Sequence, residues 1–560
     1  TIEIKNVAIG EVWLCSGQSN MEWVVGQSMN AEKELAEAEN PNIRHIKITK
    51  NVSSLPQNEI KDGTWQVGNS INTKDWTAVG YFFAKNLYRE LKVPIGIINS
   101  SWGGTNIETW ISREGFESSS EFKEMISTMP KIDLEGIIKQ KLTNATKQIE
   151  QLQGVKLNSV NEAAIKSVNF DDSKLPDLKV PELWEAQTLG EIDGVVWYRK
   201  TINLTASQSK KNAAISLAKI DDNDITFING VEIGKTNQWD KPRNYKIPDG
   251  VLKEGKNVIV VKVTDTGGGG GIYGDAADVK LNLGDENISL AGKWKAQVES
   301  LVIGSNENAF PSLCYNAMIN PLIPYAFRGV LWYQGESNAG RAYQYRTAFP
   351  LLIKDWRKKW NSQFPVYFVQ LATFTTKGNS NEGSDWAELR EAQTMTLKTP
   401  KTGMAVTTDI GNPKDIHPTN KQDVGKRLAA MALQDIFKKN IVSRSPIFKS
   451  MKIAKNEAVI QFENIGGGLM TTNKNGQVFG FEIAGNDQIF YPANAVIKGN
   501  MVIVTSEKVA LPVAVRFGWI GDASANNLFN KEGFPAVPFR TDDWKTITKD
   551  AKYKIANLNP

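Results

Sequence analysis

Apolar and polar positions change rhythm several times along the chain. Near the start, Val12–Cys15 is a short continuous apolar run, and Ile43–Ile48 (IRHIKI) alternates residue by residue. Ala78–Leu91 (AVGYFFAKNLYREL) carries apolar residues at helical spacing, and Val93–Thr105 (VPIGIINSSWGGT) reads as a strand running into a glycine turn. Strand, helix and strand in this order, with small residues after the strand ends, predict a doubly wound α/β sheet. From Ser112 to about Ile165 the chain is polar and helical. Glu135–Leu152 reads as a solvated amphipathic helix, and Phe170–Glu185 as a linker.

A different pattern follows, from Trp197 to about Val298. Gly194–Leu204, Ala213–Ile220, Asp224–Gly234 and Lys256–Asp265 alternate as strands do, and Asn229-Gly230 is a hairpin signal. This predicts a self-contained β-sandwich. The run Gly267–Gly271 reads as a flexible loop, since no phosphate-loop context surrounds it. The α/β rhythm then resumes with apolar strands in Arg328–Gly340, Phe364–Ala372 and Gly403–Gly411, and an amphipathic helix over Asn420–Phe437. Beyond Ser443 the pattern is again β, ending in a coil-rich tail. The expected divisions are therefore 1–113 and 301–440 for an interrupted α/β domain. A helical segment and linker at 114–180, a β insert at 181–300, and a C-terminal β region at 441–560 complete them.

The 560 residues suit several domains. Apolar residues at 41% and charged residues at 23% describe a globular chain with a large core. A net charge of +5 without a basic run gives no support for nucleic acid or an acidic membrane as partner. No stretch reaches the ~18 apolar residues of a membrane helix. The opening TIEIKNVAIG reads as β structure rather than as a signal peptide. Cys15 and Cys314, the only cysteines, lie too far apart for a disulfide framework and leave the compartment open. Sixteen tryptophans fit sugar binding and β cores equally well. Glycosylation motifs at Asn51, Asn144, Asn203 and Asn287 occur at the level chance supplies in a chain so rich in Asn, Ser and Thr.

Two histidines narrow the chemistry, because an imidazole base near neutral pH must be one of them. His45, between isoleucines, is expected on the polar face of its strand in a structural role. His417 lies in GNPKDIHPTN, a loop between a strand and a helix, with Asp415 two residues before it. Such loops at the C-terminal ends of parallel strands carry catalysis in α/β enzymes. Ser19, in Ser16-Gly17-Gln18-Ser19-Asn20, follows the run Val12–Cys15 and needs a base to become nucleophilic. Met21 stands where the G-x-S-x-G elbow would have its second glycine, which disfavours the α/β-hydrolase fold. Main-chain N–H groups at Ser19 and at Gly103 or Gly104, with the Asn338 side chain, could receive a developing oxyanion. Cys15 reads as a buried apolar filler.

Four blocks carry a family resemblance: Gly17-Gln18-Ser19-Asn20-Met21, Trp102-Gly103-Gly104-Thr105, Trp332-Tyr333-Gln334-Gly335-Glu336-Ser337-Asn338, and Asp415-Ile416-His417-Pro418. In this order they resemble the SGNH-hydrolase superfamily, in its sialate O-acetylesterase-like branch of carbohydrate acetylesterases. The resemblance implies a flavodoxin-like three-layer doubly wound parallel sheet. It implies Ser19 as nucleophile, His417 as base, and an oxyanion hole from Ser19, Gly103 or Gly104, and Asn338. Gln18 and Glu336 support the loops. No cofactor or metal is called for, and the partner is an acetylated glycan met in the periplasm or outside the cell. The insert, with WYRKTI and NDITFINGVEIG, resembles the galactose-binding jelly roll of β-galactosidases. Relatives place an acid three residues before the histidine, where this chain has Lys414. Asp415, Asp409 or a Ser–His dyad are the alternatives, with Asp415 favoured. Relatives also carry a β segment before the first block, so a processed or trimmed terminus and a missing partner β segment are expected.

Two other readings compete. A glycoside hydrolase would use Glu336 with a second carboxylate such as Glu388. A non-catalytic carbohydrate-binding protein would use the insert alone. The sugar stays open between O-acetylated sialic acid, acetylated xylan or xyloglucan, and pectin. A sialate carboxylate would call for an arginine, with Arg341, Arg346 and Arg390 as candidates.

Overall fold

A computed structural model describes residues 5–128, 134–190, 192–302 and 307–554. Contacts divide the chain into two compact units, 1–131 with 307–556, and 132–306 with 557–560. Residues 5–10 form no strand, and residues 1–4 of the expected opening β segment lie outside the described residues.

The first unit is built on a seven-stranded sheet. Its strands are β1 (Glu11–Gly17), β2 (Asn40–Lys47), β3 (Gln66–Gly68), β4 (Ile95–Ser101), β5 (Gly329–Tyr333), β6 (Val366–Val369) and β7 (Thr402–Ala405). They lie in the order β7-β6-β5-β1-β4-β2-β3, all parallel except β3, which is antiparallel to β2. Strand order reverses at β1, so the crevice outside its C-terminal end is where an open α/β sheet binds ligands.

Both faces of the sheet are covered, which explains the continuous apolar runs of its central strands. On one face, α2 (Ala78–Leu91) and α5 (Lys421–Asp435) pack together over Trp13, Cys15, Ile97, Leu331, Tyr333 and Tyr367. On the other, Trp332 of β5 meets Phe349 and Trp356 of α3 (Ala342–Lys359) at ring distances of 6.0 and 5.9 Å, and Phe349 meets Phe368 of β6 at 4.9 Å. Helix α4 (Asp385–Thr396) packs against α3. The architecture is a three-layer doubly wound sheet with additional β-rich regions.

One β-rich region, over residues 447–540, gathers Ala458, Ile460, Ile483, Val502, Val504, Val515 and Phe517 into its own core. It is held to α4 by charged groups: Arg540 Nε donates to Glu391 at 2.8 Å, and Arg390 donates to the carbonyls of Ile520 and Gly521. Glu388, the second carboxylate of the glycosidase reading, is buried and accepts from the Ile547 and Thr548 amides. It clamps the chain after the β region, with both carboxylate oxygens engaged there.

The second unit contains two antiparallel sheets that share one core, including Trp184, Val196, Tyr198, Ile215, Leu217, Val261, Leu281 and Trp294. The Asn223–Ile228 and Val231–Thr236 strands form the hairpin turning at Asn229-Gly230. Two stretches differ from the sequence reading. Within the expected linker, Asp177–Val180 is a strand paired with Gly292–Lys295. The helix Leu134–Gln153 is not fully solvated, because Ile149 joins the sandwich core and Gln153 bonds both main-chain groups of Val298.

Candidate active site

The loops after β1, β4 and β5 lie side by side because those strands are neighbours. Gly17 closes the first turn with φ +134°, and a Cβ there would fall 2.1 Å from the Tyr333 carbonyl oxygen. Only glycine fits such an approach. Gln18 N–H donates to Tyr333 at 3.0 Å and Trp102 N–H to Gly17 at 3.1 Å, tying the turn to both neighbouring strands. Ser19 then opens a short helix, α1 (Ser19–Glu22), and is half-buried. As the first helical residue, its N–H has no acceptor inside the helix.

His417 Nε2 lies 2.8 Å from Ser19 Oγ, although the two residues are 398 positions apart. The Trp23 ring stacks on the imidazole at 5.4 Å and 17°. Burial, followed by the nearby Lys421 charge, holds the His417 pKa below its ordinary value, and Asp415 pulls the other way. A neutral imidazole at neutral pH is what a general base requires. Asp415 Oδ1 accepts the His417 main-chain N–H at 2.8 Å and lies 3.7 Å from Nδ1, beyond hydrogen-bond length. Asp409 is elsewhere engaged: Arg427 grips both its oxygens at 2.8 and 2.6 Å, which removes it as the orienting acid.

The oxyanion candidates are arranged less simply. Gly103 lies against Ser19, 3.4 Å from its Cβ to an added methyl, but its N–H donates to Glu22 Oε2 at 2.9 Å. Glu22 also pairs with Lys50 at 2.8 Å. Asn338 is buried with its amide orientation fixed: Oδ1 accepts from Ile107 N–H and Gln334, and Nδ2 donates to Glu108 at 2.9 Å. Gln18 Oε1 accepts the Gly335 and Ser337 amides at 3.2 and 3.4 Å, joining the first and third loops. Glu336 is half-buried; its Oε1 accepts from Asn20 at 2.6 Å, and burial of the carboxyl raises its pKa.

His45 departs from expectation. It is 1% exposed, stacked on Trp76, with both ring nitrogens unpartnered and its pKa pushed down to about 3 by burial. His45 shares its face of β2 with Ile43, and that face is covered by Trp76, whereas Arg44 is half-buried and Lys47 exposed. Arg390 spends its guanidinium on four main-chain carbonyls, which removes it as a carboxylate receptor. Arg346 is paired with Glu391, and Arg341 shares Glu108 with Asn338. Sequence reasoning missed Glu22, Asn20 and Lys421. None of the three carries a readable spacing: Lys421 opens the helix that follows the His417 loop, so the i, i+4 rule of a helix face does not relate the two.

Among the described residues, no group of three or more His, Cys, Asp or Glu is placed to hold a metal, and no helix is long and apolar enough to cross a membrane.

The chain is similar to known proteins. The family model of carbohydrate esterases described as sialic acid-specific acetylesterases matches residues 9–142 and 304–434, the two stretches that build the sheet and its loops. The crystal structure of a carbohydrate acetylesterase from Xanthomonas citri is 30% identical, with a TM-score of 0.61, covering 96% of this chain and 81% of that one. The chain belongs to the sialic acid-specific acetylesterase family of carbohydrate esterases. A sialate O-acetylesterase from Mus musculus is 24% identical over 93% of this chain and 74% of its own length. One from Pongo abelii is 39% identical over 120 residues, 20% of this chain and 23% of its own length. As a member of this esterase family, the protein is a carbohydrate O-acetylesterase, an enzyme for acetylated sugars.

Proposed function

We propose that the enzyme removes acetyl groups from sugar hydroxyls through an acetyl-enzyme on Ser19. The observation that carries this is the 2.8 Å contact between Ser19 Oγ and His417 Nε2. Ser19 Oγ attacks the acetyl carbonyl carbon while its proton passes to His417 Nε2. The oxyanion forms against the Ser19 N–H, the Asn338 amide and an N–H of the Gly103–Gly104 pair. Gly103's amide is taken by Glu22, and Gly104 is the donor we assign. Collapse returns the proton to the departing sugar oxygen. Water, deprotonated by His417, then releases acetate and restores Ser19. Asp415 fixes the base loop through the His417 amide and adds negative charge beside Nδ1.

O-acetylated sialic acid is the substrate we favour, a reading supported by the sialate O-acetylesterases from mouse and rat, which align over 93% of this chain. Arg341, which shares Glu108 with Asn338, is the arginine best placed to meet a sugar carboxylate. The enzyme acts outside the cytoplasm, where such glycans are met, and the β-sandwich serves as a sugar-binding accessory. Acetate release from O-acetylated sialic acid, acetylated xylan oligosaccharides and 4-nitrophenyl acetate tests the reading. Preference for the sialate, with no turnover by Ser19→Ala or His417→Ala, is expected. Equal turnover by Ser19→Ala overturns the mechanism, and preference for xylan overturns the substrate.

A further inference from the structure

Lys421 opens helix α5, where a lysine ordinarily reaches solvent, yet it is 0% exposed. Its Nζ donates to Asn20 Oδ1 at 2.5 Å and lies over the rings of Trp23 and Tyr333, 5.7 and 5.3 Å from their centroids. Asn20 Nδ2 donates to Glu336 Oε1 at 2.6 Å and to the Ile416 carbonyl at 3.0 Å. The sense of this amide is set by charge, with its oxygen toward the ammonium and its nitrogen toward the carboxylate. Asn20 follows the serine, Ile416 precedes the histidine, and Glu336 lies on the loop bearing Asn338. One side chain therefore joins three of the loops that carry the chemistry.

A buried ammonium that meets its carboxylate only through Asn20 is an expensive way to fill a core, since burying a charge costs several kcal/mol and apolar side chains of similar size are often as stable. Its position beside the reacting residues gives it a use that apolar side chains would lack. We propose that Lys421 is a positioning residue of the esterase: through Asn20 it locks the Ser19–His417 contact, and its charge adds to burial in opposing a proton on the imidazole. The proposal rests on Ser19 and His417 being nucleophile and base.

The charges around His417 come from three elements. Lys421 on α5 disfavours imidazolium, Asp415 on the histidine's own loop favours it, and Glu336 on the loop after β5 lies behind Asn20. Ser19 and Trp23, from α1 and the residue after it, are uncharged. Burial brings the Lys421 pKa down to about 7, with Glu336 and Asp415 sustaining its charge. The ammonium is thus charged in the acid range where His417 titrates. Removing it lets the His417 pKa rise, so the acid limb of activity moves to higher pH.

The test is kcat/KM for 4-nitrophenyl acetate against pH, in wild type, Lys421→Met, Lys421→Arg, Glu336→Gln and the double variant Lys421→Met/Glu336→Gln, with Ser19→Ala as control. Lys421→Met should lose about ten- to a hundredfold at the plateau, a cost typical of a small misplacement at a reacting centre. Its acid limb should move to higher pH, and Lys421→Arg should keep the limb near the wild-type position. If Lys421→Met does not fold, by circular dichroism and melting, the double variant is read instead, since it leaves no unpaired buried carboxylate. Its limb should lie above that of Glu336→Gln alone, which removes the carboxylate's opposite effect from the comparison. An acid limb at the wild-type position in Lys421→Met, or one in the double variant no higher than in Glu336→Gln, overturns the proposal, whatever the plateau does. Turnover retained by Ser19→Ala overturns the underlying assignment and the role of Lys421 with it.

Discussion

The two histidines of this protein lie flat against two tryptophans, with ring distances of 5.1 Å for His45 on Trp76 and 5.4 Å for His417 on Trp23. Their stacking geometry is nearly the same, and their chemistry is opposite. His45 sits in a closed strand pocket where neither nitrogen has a partner, and burial pushes its pKa down to about 3. His417 sits half-buried at the strand crevice with a serine hydroxyl on one nitrogen and a carboxylate near the other. Burial alone therefore makes an inert imidazole. A base needs burial that stops short of closure, and a partner that gives up its proton.

The comparison can be broken most sharply by exchanging roles. Ser19→Ala or His417→Ala should lower kcat by ~10⁴–10⁶, the cost of removing a member of a cooperating catalytic group. His45→Phe should leave kcat within about twofold, because its neutral ring touches no reacting atom. A comparable loss from His45→Phe would end the distinction between the two sites. Next in size, Asn338→Ala should lower kcat by ~10²–10³ with KM little changed, as expected for a donor that acts on the oxyanion. A change confined to KM would make Asn338 a substrate-binding group instead.

Asp415→Asn should cost less than the ~10⁴ seen where an acid bonds the ring directly, since its contact with Nδ1 is 3.7 Å and its firm bond is to the His417 amide. A loss as large as that of His417→Ala would show that the carboxylate closes onto the ring during turnover. The smallest effect concerns stability. The folded-state pKa of His45 lies below its unfolded value, so the stability it contributes is complete above about pH 6.5 and is lost as pH falls toward 3. His45→Phe should remove that loss, at most about 1.4 kcal/mol per pH unit, and chemical denaturation at pH 7 and pH 4.5 reads it. An unchanged pH dependence in His45→Phe would mean that His45 is accessible to protons in the folded state.

Much of this arrangement was legible from residue order. Apolar runs ending in Gly17-Gln18-Ser19, Trp102-Gly103-Gly104 and Gln334-Gly335-Glu336 mark strand ends, and a doubly wound order places such ends along one edge. That β1 lies between β4 and β5 is a matter of pairing, which periodicity does not reveal. His45 was misread because an alternating stretch looks half-exposed, whereas the part of β2 that carries His45 is covered by Trp76. Lys421 and Glu22 were illegible for a related reason. A charged residue at a helix end reads as solvated, and only tertiary contact shows that one lies under Trp23 and the other on the Gly103 amide. Asp415 stands two residues before His417 and Asp409 eight; Arg427 holds both oxygens of Asp409, while Asp415 accepts the His417 amide.

The central claim is that Ser19, activated by His417, carries the acyl group. Labelling with a fluorophosphonate, followed by digestion and mass spectrometry of the peptides, tests it directly. The account predicts one adduct, on Ser19, absent in Ser19→Ala and formed far more slowly in His417→Ala. An adduct on another residue, or undiminished labelling in Ser19→Ala, would contradict it.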